Sequence, residues 1–298
     1  MKEYSGFSSE YLYHRFDRYS KEDIARFQQK FDGLVDFEKA DEWEGVYFDD
    51  VDPVGFSQFR WKKNSGFLSF YIYTCLPELR SIDYGQIAVS ADSILLLPET
   101  APDSPRRSLP VKYIKVKWND RHYLVGESSL LAFAEKAAGI YSDSENGENE
   151  QFQRWSDFWV TGDLTQDLAG LPEFPAKYKK FERNPIIGRI ISISQKKVID
   201  QFELENRFYS SPVAVYNVKI NVGKKHGVKR GLTFLIDEIE ETILITEVNQ
   251  NSSVGVLVRN LPEDNSEDCR GENGDEIPCP EIKKGLRVST QVGQMYLN

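Results

Sequence analysis

The pattern of apolar and polar positions changes period several times along the chain. In SKEDIARFQQKF, Ser20 stands where a helix cap belongs, acidic residues fill the first turn, and Ile24, Phe27, Gln28 and Phe31 follow at helical spacing. This predicts one amphipathic helix ending near Gly33. From Trp43 the period becomes two. WEGVYFDD, GFSQFRWKK, GFLSFYIYTC, GQIAVSADSILLLPE and VKYIKVKWNDRHYLVGE succeed one another with turn residues between them, the pattern of an antiparallel meander. Within the last run, Asn119-Asp120 joins IKVKW to RHYLV and predicts a hairpin, although the turn carries no glycine. In SSLLAFAEKAAGIY, Leu130, Leu131, Phe133, Ala134, Ala137 and Ala138 return to helical spacing, with Gly139 placed to close a helix packed on the sheet.

The next stretch, 142–151, has four acids and no large apolar residue, and reads as a loop or linker. In QFQRWSDFWVTGDL, Trp155, Phe158 and Trp159 fit a helical face or a strand, and the period leaves both open. GLPEFPAKYKKFERNP brings three prolines into sixteen residues, which favours an extended surface segment and marks a domain junction. Beyond it IIGRIISIS, PVAVYNVKINV, LTFLIDEI, TILITEV, SVGVLVRN and GLRVSTQ are six short strands, enough for a small closed or half-closed barrel. An acidic excursion, PEDNSEDCRGENGDEIPCP, separates the last two. The expected architecture is an α+β domain over 1–165, an antiparallel meander of six or seven strands with flanking helices, then a Pro-rich linker over 166–185 and a small all-β barrel-like domain over 186–298.

The chain has 298 residues, 40% of them apolar and 13% aromatic, ample for two globular cores. Its 47 acids against 37 bases give a net charge of -10, a field that repels phosphate backbones and anionic lipid, so no nucleic-acid partner is expected. No apolar run reaches the roughly 18 residues of a membrane helix, and the N-terminus lacks the apolar core of a signal peptide. As written the chain is expected in the cytoplasm, or outside it if a leader has been removed. Three cysteines, Cys75, Cys269 and Cys279, are too few for a disulfide scaffold. Cys269 and Cys279 flank a loop short enough to pair in an oxidising compartment, and remain thiols otherwise. With no C-x-x-C pair and no histidine nearby, neither a metal nor any cofactor is expected.

The stretch 218–258 reads KINVGKKHGVKRGLTFLI, a turn, then ILITEVNQNSSVGVLV. With Gly223, Gly227-Val228 and Gly231 between alternating strands, it resembles the small β domain of bacterial envelope-assembly proteins, including the periplasmic part of the rod-shape-determining scaffold family. The resemblance implies a small β-barrel and no particular activity. Gly223 and Gly231 are expected at positive φ, with Val228 plugging the barrel.

Candidate chemistry is sparse. Lys224, Lys225, His226, Lys229 and Arg230 form the densest basic cluster, a candidate anion site, but Gly223 and Gly227 lack the phosphate-loop spacing, and the run reads first as a solvated hairpin turn. The oxygen-bearing residues Asp264, Ser266, Asp268, Glu272, Asp275 and Glu276 miss the EF-hand pattern, with Ser266 at the third position, which leaves a flexible loop. Three histidines, His14, His122 and His226, sit far apart in sequence, no serine has a nucleophile-elbow context, and Gly126-Glu127-Ser128 reads as the cap of the helix that follows. Aromatics crowd both faces of the meander. They form a layered core, or they line a cavity for a greasy or sugar-like ligand, with Trp43, Trp61 and Tyr71 as its candidate walls. The sequence therefore predicts a non-enzymatic binding protein with a protein partner or small ligand. The competing class is a hydrolase-type enzyme with a dispersed site, recognisable by His14 or His122 beside a carboxylate and a hydroxyl.

Overall fold

A computed structural model describes residues 21–34, 41–48, 55–73, 78–99, 112–141, 158–162, 168, 170–199, 202–204, 207–209, 212–239, 241–261, 268–270, 276–278 and 280–290. They fall into two compact units, one drawn from Met1–Phe133 and Glu150–Glu182, the other from Ala134–Asn149 and Arg183–Leu297.

The first unit opens with helix α1, Lys21–Asp32, whose end is marked by the Gly33 N–H donating to the Gln29 carbonyl at 3.2 Å. Eight antiparallel strands follow: β1 Gly45–Phe48, β2 Gly55–Lys62, β3 Gly66–Tyr73, β4 Glu78–Val89, β5 Ser93–Pro98, β6 Lys112–Trp118, β7 Arg121–Gly126 and β8 Phe158–Thr161. They pair in sequence order and close through Phe48 opposite Val160. The expected α+β meander is thus corrected to a closed all-β barrel with few helices. The strand that closes it is FWVT, whose period had not distinguished helix from strand.

Alternation sorts the side chains. Tyr47, Phe59, Trp61, Phe67, Tyr113 and Trp159 point inward and pack into one cluster. On the opposite face of β2 and β3, Gln58, Arg60, Leu68 and Phe70 are also buried, and Arg60 Nη1 donates to the carbonyl of Leu34, just after α1, at 3.3 Å. Outside β6 to β8 a second aromatic cluster joins Trp118, Tyr123 and Phe158 to Phe133 of helix α2, Leu130–Ala137. Gly139 ends that helix at φ +65°, with the Ile140 N–H on the Glu135 carbonyl (2.8 Å) and its own N–H on the Lys136 carbonyl (2.9 Å), a Schellman closure. Gly126 stands at the N-cap of the 3₁₀ turn Glu127–Ser129, which has no side-chain cap bond. Glu127 instead accepts from Lys112 Nζ (2.6 Å) and the Tyr178 hydroxyl (2.9 Å). In the proline-rich stretch the structure has short regular pieces in place of an extended surface segment. Glu173 forms a β-bridge with Lys117, Ala176–Phe181 is a 3₁₀ helix, and Phe174 and Tyr178 are buried on the first barrel.

The second unit contains β9 Ile187–Ile193, β10 Lys197–Ile199, β11 Phe202–Leu204, β12 Arg207–Tyr209, β13 Val213–Ile220, β14 Thr233–Ile236, β15 Glu241–Val248, β16 Ser253–Asn260, β17 Asp268–Arg270, β18 Glu276–Pro278 and β19 Arg287–Thr290. Strands β13, β16, β15, β14, β19 and β9 pair in that order, and β9 returns to β13, closing a six-stranded barrel. These are the six strands read from the pattern. β10 pairs with the stretch of β13 that β9 leaves free, and β11–β12 and β17–β18 are separate hairpins. Val218, Ile220, Phe234, Ile243, Ile245 and Val288 fill the interior, and Val228 is buried among them as the expected plug. Gly231 has φ +83°, as expected, but Gly223 is extended at φ -151°. Its need for glycine is a close approach, since a Cβ there would meet the Asn249 carbonyl oxygen at 2.2 Å. Most of the acidic excursion, Cys279 included, lies outside the described residues, as does Cys75 after β3. Among the described residues no helix is long and apolar enough to cross a membrane.

Candidate functional site

The described side chains inside the first barrel pack closely against one another. Phe59 sits 5.9 Å from Phe67, 5.8 Å from Tyr113 and 5.5 Å from Trp159, centroid to centroid. The Trp159 indole donates to the Tyr113 hydroxyl at 3.1 Å, so these two polar groups meet each other inside the cluster. An eight-stranded barrel has an interior just wide enough for side chains to fill. Trp61, one of the three expected cavity walls, is fully buried in this core. Tyr71 lies in β3 opposite Ser57 and Ser81, and its side chain is outside the described residues. Trp61 is therefore core, whereas Trp43 faces open space.

That space is a groove of about 540 Å³ at the end of the barrel. One wall is the segment before β1, with Asp41, Glu42 and Trp43; the other is the β4–β5 turn, with Val89, Ser90 and Ala91; Lys63 and Lys115 complete it. The first wall is held by local bonds. The Trp43 N–H donates to Asp41 Oδ1 at 2.8 Å, the Tyr47 hydroxyl donates to the Trp43 carbonyl at 2.7 Å, and the Lys63 N–H donates to Glu44 Oε1 at 2.9 Å. Burial pushes the Tyr47 phenol far above its ordinary value, so it stays a donor.

Lys115 is the unusual group. It lies on the inward face of β6 between Tyr113 and Lys117, and only 4% of it is exposed. Its ammonium donates to the Ser90 carbonyl at 3.1 Å and stands 5.6 Å from the Trp43 ring centroid and 5.7 Å from that of Trp61. Among the described residues it has no carboxylate within ion-pair distance. Desolvation lowers its pKa from the ordinary lysine value, opposed by the more distant charges of Asp41, Asp92 and Glu42. Two indole faces are attractive to a cation but leave its remaining N–H donors unmet.

Glu42 belongs to the rim. Lys117 Nζ donates to it at 3.1 Å, a bond that holds its carboxyl below the usual range, and His122 Nε2 stands 3.6 Å away. The His122 ring meets Trp43 edge-on at 4.6 Å. The hydroxyl on the groove wall, Ser90 Oγ, is engaged with the Ser93 carbonyl (3.1 Å) and Ser93 Oγ (2.9 Å). His14 is outside the described residues.

The basic cluster occupies one loop of the second barrel. Lys224–His226 form a 3₁₀ turn in which the Lys224 and Lys225 N–H groups donate to the Asn249 and Gln250 carbonyls at 2.9 and 3.1 Å. His226 Nδ1 accepts the Gly223 N–H at 3.0 Å. Lys224, Lys225 and Arg230 are exposed, with Lys229 half-buried beside them. Of the acidic excursion, Asp268 and Glu276 lie in the β17–β18 hairpin, and the others lie outside the described residues.

Sequence reasoning passed over Lys115 and Glu42. The signal was present in KYIKVKW, where Tyr113, Lys115 and Lys117 share one face of a strand whose other face begins with Lys112 and continues with the apolar Ile114, Val116 and Trp118. Two lysines on the face of a barrel strand that looks inward mark the point where packing gives way to a mouth. No protein-family model, no curated protein and no solved structure matches this chain. Its class is defined by fold and site alone: a two-barrel β protein with a charged, aromatic groove at one barrel end.

Proposed function

We infer that this is a non-enzymatic binding protein, and that the first barrel takes a small ligand in the groove at its mouth. The observation that carries the reading is Lys115, a cation withdrawn from water on an open groove, held by one carbonyl and two indole rings. Protein interiors rarely keep such a charge without a counter-ion, and positions where they do are enriched in functional sites. Trp43 supplies the apolar surface that small-molecule sites combine with a few polar groups. The second barrel, with its exposed Lys224, Lys225 and Arg230, serves as a docking module for a protein partner.

Ligand-observed NMR with a set of neutral, anionic and cationic fragments tests this. Ligands that bind the wild-type protein and lose binding in Trp43→Ala are expected. If every ligand binds Trp43→Ala as well as wild type, the groove is not the site. The Glu42–His122 pair gives the hydrolase reading its single support, and ester hydrolysis abolished by His122→Ala would replace the binding reading with it.

A further inference from the structure

Resting on that reading of the groove, we propose that its ligand is a small monocarboxylate with a planar apolar body, the carboxylate seated on Lys115 and the body against Trp43. The argument starts from donors. An ammonium has three N–H groups, and that of Lys115 gives one to the Ser90 carbonyl. The indole faces of Trp43 and Trp61 favour the charged form but accept no directed bond. A carboxylate entering the groove supplies a charge-assisted acceptor, the strongest kind available to this group.

Lys63 adds to the case. It lines the same groove, and its charge is close enough to act against that of Lys115. Two cations facing one open space favour an anion between them. The acids around the groove limit how much negative charge it accepts. Asp41 has one oxygen committed to the Trp43 N–H, and Glu42 is bound by Lys117, but both remain carboxylates on the rim. Together with Asp92 they oppose a phosphate or sulfate dianion more than a single carboxylate. Trp43, half-buried beside the ammonium, gives a flat apolar surface of the size of one aromatic ring.

The test compares 3-phenylpropionate with its neutral isostere 3-phenylpropionamide on the full chain, reading amide and indole N–H resonances of Trp43, Ala91 and Lys115. The acid is expected to shift them saturably and to bind about tenfold or more tightly than the amide, the range of one hydrogen bond to a charged group. Lys115→Met is expected to remove that preference. Equal binding of acid and amide to the wild-type protein overturns the carboxylate assignment and leaves the groove reading standing. If neither probe moves these resonances at about 20 mM, above the weakest affinities of interest, the groove reading falls with it. Should Lys115→Met fail to fold, the wild-type comparison of acid and amide still decides.

Discussion

Replacing Phe59 by alanine tests whether the first barrel is filled by its own side chains. Phe59 is fully buried, with three aromatic rings at 5.5 to 5.9 Å. Truncation loses about 2 kcal/mol of transfer free energy for the ring. Neighbours as stiff as Trp159 and Tyr113, linked by their own hydrogen bond, cannot collapse into the space, so a cavity of roughly 80–100 Å³ remains at about 24 cal/mol per Å³, a further 2 kcal/mol. The sum is about 4 kcal/mol, and with a urea m-value of about 2 kcal/mol per M the midpoint falls by about 2 M. All five tryptophans, at 43, 61, 118, 155 and 159, lie in the sequence of the first unit, so fluorescence follows its unfolding without contribution from the second. A loss below about 1 kcal/mol would mean that the interior is not close-packed, and the groove would then have to be regarded as the top of a deeper cavity.

Two further outcomes follow from particular groups. Lys115→Met is expected to unfold at higher urea than wild type near neutral pH. Because burial lowers the folded-state pKa of Lys115, the unfolded chain holds that proton more tightly, so wild-type stability rises as pH climbs from the depressed value toward 10.5, and this rise is absent in the variant. Identical pH slopes for the two proteins above pH about 8 would contradict the assignment. In the second unit, fully buried Thr290 accepts the Ile186 N–H at 2.9 Å and donates to the Ala138 carbonyl at 2.8 Å. Thr290→Val keeps the shape and strands both partners, costing about 2–4 kcal/mol, whereas Thr290→Ser keeps both bonds and costs about 1 or less. Hydrogen exchange of the β14 and β19 amides measures the difference, and equal losses for Val and Ser would show that the hydroxyl is not what matters there.

Much of this fold was legible because it is local. The α1 helix, the hairpin at Asn119, which takes φ +51° in the turn, and the Gly139 stop each depend on a few neighbouring residues. The six strands of the second barrel were equally visible, since each is a short β-branched run with a turn at both ends. Closure of the first barrel was not legible. It rests on β8, a four-residue strand whose aromatic content suits helix or strand alike, meeting β1 from the far end of the unit. For the same reason Trp61 and Trp43 looked equivalent in sequence, yet one is core and the other is rim. The site depends on Lys115, and a lysine in a strand reads as solvated until the barrel's inner face is known. The basic cluster stood out by density, which says only that those side chains face water.

The division of the chain has a consequence for how it can be cut. Neither unit is one continuous piece of sequence: the chain contributes Ala134–Asn149 to the second before returning with β8 to complete the first. A fragment ending at 133 would leave β1 and β7 as unpaired edges of an open sheet, the arrangement that invites intermolecular pairing. A fragment beginning at 183 would lack the Ala138 carbonyl to which Thr290 donates. The two units are interleaved in sequence, so a single cut at 133 or 183 removes from one of them a segment it uses, even though each encloses a core of its own.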